Sequence, residues 1–362
     1  MTRGRAGVGP IVLRFGTCSV RMRIRDIAVF WGLVLALIVL AGMSVGVGPA
    51  SAGLGDFWRA MTSGEPVGGM DAVMKWRIPR IGVAVAGGAL LALGGALFQV
   101  LTRNPLGSPD IIGFNTGAYT GALLATLLLP PTAGRELRIG AVRLYLGDYV
   151  PAVGAFAGGL ACAALVLGLA RVRSGGMSHR LVVIGIAVSA TLTALNAFII
   201  MKTDVNYASS MTSWSFGTLN GMRPPDAVFV TCCLVLAALI CPWAAHVGAA
   251  LRCHDDLAVA IGSPVTRHRV LFVFLGVAVT AVVTSVVGPV MFVALTAPHI
   301  ARGITRSPGL VLGCTAAVGA MLLLAADTLA RLGAIELPAG VVTMILGGGY
   351  FFWLLLRLQH ST

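Results

Sequence analysis

Residues 76–121, WRIPRIGVAVAGGALLALGGALFQVLTRNPLGSPDIIGFNTGAYTG, decide the fold. Between Arg80 and Arg103 this stretch carries no charge. An α-helix rises about 1.5 Å per residue, so about 20 apolar residues cross the roughly 30 Å of hydrocarbon in a bilayer. Polar residues resume in RNPLGSPD, and a shorter apolar block follows at residues 114–129. Similar blocks recur outward in both directions, at 27–48, 149–170, 181–201, 226–247, 270–288, 289–304, 309–330 and 338–358. With 80–101 and 114–129 they make about ten candidate spans. Of the 362 residues, 57% are hydrophobic and 11% charged, whereas soluble domains run at about 45–50% and about 25%. Too little polar surface remains for a water-soluble globule. A soluble enzyme, a nucleic-acid binder and a disordered scaffold are excluded, and an all-α polytopic membrane protein is predicted.

The formal net charge of +13 is informative through its distribution. The block at 27–48 follows Arg21, Arg23 and Arg25 and precedes Pro49-Ala50-Ser51-Ala52, as in a signal peptide. It is too long for such a core and is read as a retained span. Residues 1–26 then form a basic tail, 27–358 the membrane domain and 359–362 a short C-terminal tail. With the N-terminus in the cytoplasm, 16 of the 26 lysines and arginines fall on that side, so the positive-inside rule places both termini there. The protein is expected in the cytoplasmic membrane, surrounded by lipid.

The seven cysteines show no CxxC spacing, which argues against a disulfide or metal framework. Lys75 and Lys202 are the only lysines, so no GxxxxGK[ST] phosphate loop is present. Any ATP used must be hydrolysed by another chain. Spans two to five and seven to ten enter the membrane from opposite sides, and the second member of each set, 114–129 and 289–304, is short. Short or broken spans at matching places are a mark of inverted repeats.

Two further stretches carry motifs: GPVMFVALTAPHIAR at 288–302 and ADTLARLGAIELPAGVVTMILG at 326–347. Together with residues 76–121 they resemble the FecCD family, the permease subunits of type II ABC importers for ferric siderophores, cobalamin and haem. The run RNPLGSPDIIGFNTGAYTG is similar to the ferric-enterobactin-type permeases of that family. The resemblance implies ten helices in an inverted repeat. It also implies a second permease subunit (a heterodimer is favoured), two ATP-binding subunits and an extracytoplasmic siderophore-binding protein. ATP and Mg would sit on the ATPases and iron would cross inside its chelate, leaving no cofactor and no metal site on this chain.

The resemblance also implies roles for particular residues. The loop ALRCHDDLAVAIGSPVTRHR, 250–269, matches the family's coupling pattern at Asp255, Asp256, Ala258, Ile261 and Gly262. Ala258 and Ile261 would enter a groove on the ATPase, while the plainer reading is a solvated loop whose acids cap a helix. Arg77, Arg80 and Arg331 would dock the binding protein through carboxylates, which a planar guanidinium can hold in pairs. For Arg331 the alternative is an intrahelical pair with Asp327, four residues earlier. Asn104, Leu106 and Ser178 would close the cytoplasmic gate, though Asn104 before Pro105 is equally a turn residue. The polar segment NYASSMTSWSFGTLN, 206–220, is read as a re-entrant helix whose Asn206, Ser209, Ser213 and Trp214 meet the substrate. His299 lacks a ligand-spaced partner and is read as a packing or hydrogen-bonding residue.

Two rival classes remain. An ion-coupled secondary transporter would suit the inverted repeat but normally places several ionisable groups in mid-membrane, and only Asp327 falls within a span. A channel or non-transporting scaffold leaves the long 250–269 loop without a purpose.

Overall fold

In a computed structural model the described residues are 11–15, 18–47, 73–110, 112–129, 136–139, 142–170, 177–203, 205–253, 255–260, 262–307, 309–333 and 336–359. A small antiparallel hairpin, β1 (Ile11–Phe15) and β2 (Cys18–Met22), precedes α1 (Ile24–Gly46). One π-helical turn, Val73–Arg77, leads into α2 (Ile78–Thr102), followed by α3 (Phe114–Leu128). A second hairpin, β3 (Glu136–Ile139) and β4 (Val142–Tyr145), opens α4 (Leu146–Ala170) and α5 (Met177–Met201). The short α6 (Val205–Ser215) precedes α7 (Pro224–Arg252), and the short α8 (Asp255–Ala260) precedes α9 (Val265–Val287). The chain closes with α10 (Val293–Thr305), α11 (Leu312–Ala330) and α12 (Ala339–Gln359).

Each expected span coincides with a helix. Among the described residues, seven of these are long and apolar enough to cross a membrane: α1, α2, α4, α5, α7, α9 and α11. Helices suit that solvent because every interior N–H and C=O is bonded within the segment. Their ends follow local chemistry. Arg23 N–H donates to Asp26 and Arg223 N–H to Asp226, closing the heads of α1 and α7, and α7 begins on Pro224 and Pro225. The two hairpins were not expected, since their runs are too short to register beside the helical blocks.

Helix α2 is buried along most of its length, whereas α1 is exposed along most of its own. Around this post the packing is doubled. Helix α2 packs against α9; α2 lies on α11 as α9 lies on α4; α3 lies on α4 as α10 lies on α11. That relation is what an inverted repeat of α2–α5 and α9–α12 requires. Close approach supplies the cohesion, because apolar helices gain little hydrophobic advantage inside lipid. At the α2–α11 crossing, a Cβ on Gly88 would collide with the backbone of Gly319, and the reverse also holds. The short members α3 and α10 both start from a left-handed residue, Gly113 (φ 88°) and Phe292 (φ 67°).

Candidate functional site

Four charged side chains meet where α2 begins and α11 ends. Asp327 has no exposed surface. Arg80 grips it from the first turn of α2: Nε donates to Oδ1 at 2.9 Å and to Oδ2 at 3.1 Å, and Nη2 lies 2.8 Å from Oδ1. Nη1 of the same guanidinium reaches Glu336 Oε1 at 2.5 Å. Arg331 Nε pairs with Asp327 Oδ2 at 3.2 Å, the intrahelical pair weighed from the sequence. Arg331 Nη1 also donates to the carbonyls of Ser44 (3.2 Å) and Val47 (2.6 Å), and Arg77 Nη1 donates to Val45 O at 2.6 Å. At the end of α1 the Ser44 carbonyl accepts only the Val47 N–H locally, at 3.3 Å, and the last carbonyls of a helix lack i+4 donors, so cations suit that pole.

The three arginines expected to face a docking partner are thus engaged within the chain. Arg77 is buried, the Arg331 side chain is 4% exposed and that of Arg80 11%, whereas Glu336 is 36% exposed. The physical reason is that α1 packs on α11 and its terminal carbonyls need donors there. Ser44 and Glu336 were missed; nothing in the linear sequence signals that residues so distant converge.

At the opposite end of α2, Asn104 Oδ1 accepts the Leu106 N–H at 2.9 Å, the geometry of an Asx turn. Arg103 adopts φ 50° and reaches across to α7, donating to Leu251 O at 3.2 Å and Cys253 O at 2.7 Å. Ser178 lies in the first turn of α5, but its side chain falls outside the described residues.

Within the 250–269 segment, Asp255–Ala260 forms the short helix α8. Ser263 N–H donates to Ala258 O at 3.0 Å and Gly262 N–H to Val259 O at 2.9 Å, with Gly262 at φ 80°. This is a Schellman closure, which requires a residue that tolerates the left-handed region. Ala258, expected at the ATPase contact, faces the interior of this chain. It has no exposed surface and packs inward with Leu251, Val265 and Phe272, because α8 folds back on α7 and α9. Leu257 (62% exposed) and Val259 (63%) are the apolar side chains that α8 turns outward. The side chains of Asp255 and Asp256, and Ile261 entirely, fall outside the described residues.

The polar 206–220 segment begins as the short helix α6. Ser209 and Ser213, one turn apart, are both exposed. Trp214 turns the other way, stacking on Tyr119 with centroids 6.1 Å apart and packing over Ala118, Ala122 and Ala155. The Asn206 side chain lies outside the described residues. His299 Nδ1 hydrogen-bonds the Tyr350 hydroxyl at 2.6 Å, a hydrogen-bonding and packing role.

A polar group that the sequence reading passed over joins the two repeats. Asp110, in the connection between α2 and α3, accepts from Asn115 Nδ2 at 2.7 Å, and Asn115 Oδ1 accepts from Thr284 on α9 at 3.1 Å. Asp110 Oδ2 is buried without a hydrogen bond of regular geometry. The Phe292 N–H at the head of α10 nonetheless favours the ionised carboxyl. Burial outweighs both neighbours and raises this group to about 7. The SPD triplet inside a polar run was its one visible signal.

Comparison with known proteins accords with this architecture. The model of the FecCD transport family matches residues 34–357. The ferric enterobactin transport system permease protein FepG of Escherichia coli is 38% identical over 347 residues, covering 94% of this chain and 96% of that protein. The Fe(3+) dicitrate permease FecD of Escherichia coli is 33% identical, covering 92% and 99%. The hemin permease HmuU of Yersinia pestis is 31% identical, covering 91% and 95%. A solved ABC transporter in an inward-facing conformation superposes with a TM-score of 0.76 at 25% identity, covering 92% of this chain and 99% of that one. Matched along nearly its whole length by sequence and by fold, the chain belongs to the FecCD transport family and is an integral-membrane permease subunit of an ABC importer, not an enzyme.

Proposed function

We propose that the chain moves an intact ferric siderophore of the catecholate, enterobactin-like type across the cytoplasmic membrane, with both termini in the cytoplasm. The observation that carries this reading is the 38% identity to a ferric enterobactin permease along 94% of the chain. A second, different permease completes the pathway. Separate ATPases bind ATP and Mg, and an extracytoplasmic binding protein delivers the chelate.

In this reading the Asp255–Gly262 segment contacts the ATPase. Leu257 and Val259 supply the apolar contact, Ala258 anchors α8 from within, and Gly262 sets its turn. Arg77, Arg80 and Arg331 serve docking indirectly. A binding-protein carboxylate would compete with Glu336, the exposed member of the network, for the Arg80 guanidinium. Asn104, Leu106 and Ser178 close the cytoplasmic side. Asn206, Ser209 and Ser213 meet the chelate near the entrance, with Trp214 holding α6 in place.

The test is uptake into vesicles reconstituted with both permeases, ATPase and binding protein, offered a ferric catecholate labelled on metal and ligand. ATP-dependent accumulation of both labels in equal proportion is expected. Entry of iron without its ligand, preference for cobalamin, or uptake driven by a proton gradient without ATP would refute the reading.

A further inference from the structure

Between the C-terminal ends of α2 and α7, the last turns of α10 and the start of α11 lies a cavity of about 210 Å³. Gln99, Arg103, Asn104, Arg252, Arg302 and Thr315 contribute its polar wall. Gln99 is buried, donating Nε2–H to Leu295 O at 3.0 Å and accepting from Arg302 Nη2 at 2.5 Å, so it fixes the Arg302 guanidinium in the cavity. Arg252 lies near enough to repel Arg302. Among the described residues neither has a carboxylate partner, and none of the residues lining the cavity is acidic.

Like charges gathered in a concave wall repel one another, and an anion between them turns that repulsion into attraction. Planar guanidinium forks match tetrahedral oxyanions, taking two oxygens at once. The start of α11 at the same wall adds the positive end of a helix dipole. We propose that this cavity binds a phosphate group through Arg252 and Arg302, with Gln99 as the positioning residue. The phosphate can come from an anionic lipid headgroup of the adjoining leaflet, as basic pockets between membrane helices allow, or from solution.

The test uses the full chain in nanodiscs and reads its thermal midpoint. One arm titrates inorganic phosphate into phosphatidylcholine discs, with chloride at matched ionic strength as control. The other compares phosphatidylcholine discs with discs containing increasing phosphatidylglycerol. Saturable stabilisation is expected in at least one arm, and the responding arm identifies the source. Arg252→Gln, at an exposed helix end, should raise the half-saturating concentration at least tenfold, as should Arg302→Gln if it folds. Arg306→Gln, beyond the cavity, should leave it unchanged. No saturable response, an equal response to chloride, or half-saturation within twofold of wild type in Arg252→Gln would overturn the proposal.

Discussion

Replacing Asp327 by Asn tests whether one buried carboxylate ties α2 to α11. It leaves the shape and one oxygen acceptor but removes the charge that Arg80 meets with two nitrogens and Arg331 with one. Breaking a buried ion pair from one side costs about 3–5 kcal/mol, because the remaining charge is stranded. Here the stranding is partial: Arg80 keeps Glu336, and Arg331 keeps the Ser44 and Val47 carbonyls. The lower limit of about 3 kcal/mol is therefore expected, roughly a hundredfold in the folded-to-unfolded ratio. Glu336→Gln removes a more exposed pair and should cost only about 0–1 kcal/mol. The assay is equilibrium unfolding of the chain in bicelles, followed by steric trapping. A double-mutant cycle adds Arg331→Met, which should cost less in the Asp327→Asn background than in the wild type, since its partner charge is already gone. If Asp327→Asn costs no more than Glu336→Gln, or the cycle shows no coupling, the network does not hold these helix ends together.

Leu257→Glu combined with Val259→Glu should abolish co-purification of the ATPase while leaving the fold intact, because both side chains point outward. Ala258→Glu should instead lower the amount of folded chain in the membrane, since it buries an unpaired charge; a folded Ala258→Glu chain would contradict the inward placement. At Gly88 an added Cβ collides with Gly319 backbone, so Gly88→Ala should destabilise by about 1–3 kcal/mol. Gly42→Ala, with open space around it, should be neutral or stabilising by up to about 1 kcal/mol in the same unfolding assay. The Asp110 carboxyl, raised to about 7, keeps a proton in the folded chain that the unfolded chain has released. Stability should therefore fall as pH rises from about 4 to about 7, and Asp110→Asn should flatten that slope. An unchanged slope in the variant would show that another group titrates.

By itself the sequence determined the membrane class, the places of the apolar helices and the family. These are written in runs of neighbouring residues: charge-free blocks of bilayer length and contiguous motifs. It also placed α6 and α8, and it named the Asp327–Arg331 pair, because members four residues apart on a helix must be neighbours. Only the tertiary structure decided what those residues face. Ala258 matches a pattern for an outward contact but lies inside, because α8 folds back on α7 and α9. The arginines at the head of α2 and the end of α11 are turned inward by the carbonyls at the end of α1 and by Glu336, partners set by how helices stack. Asp110 and the paired Arg252 and Arg302 emerged the same way: their environment is built from elements far apart in the chain. A hydropathy pattern records which segments leave water, and it carries no information about which helix meets which inside the bilayer.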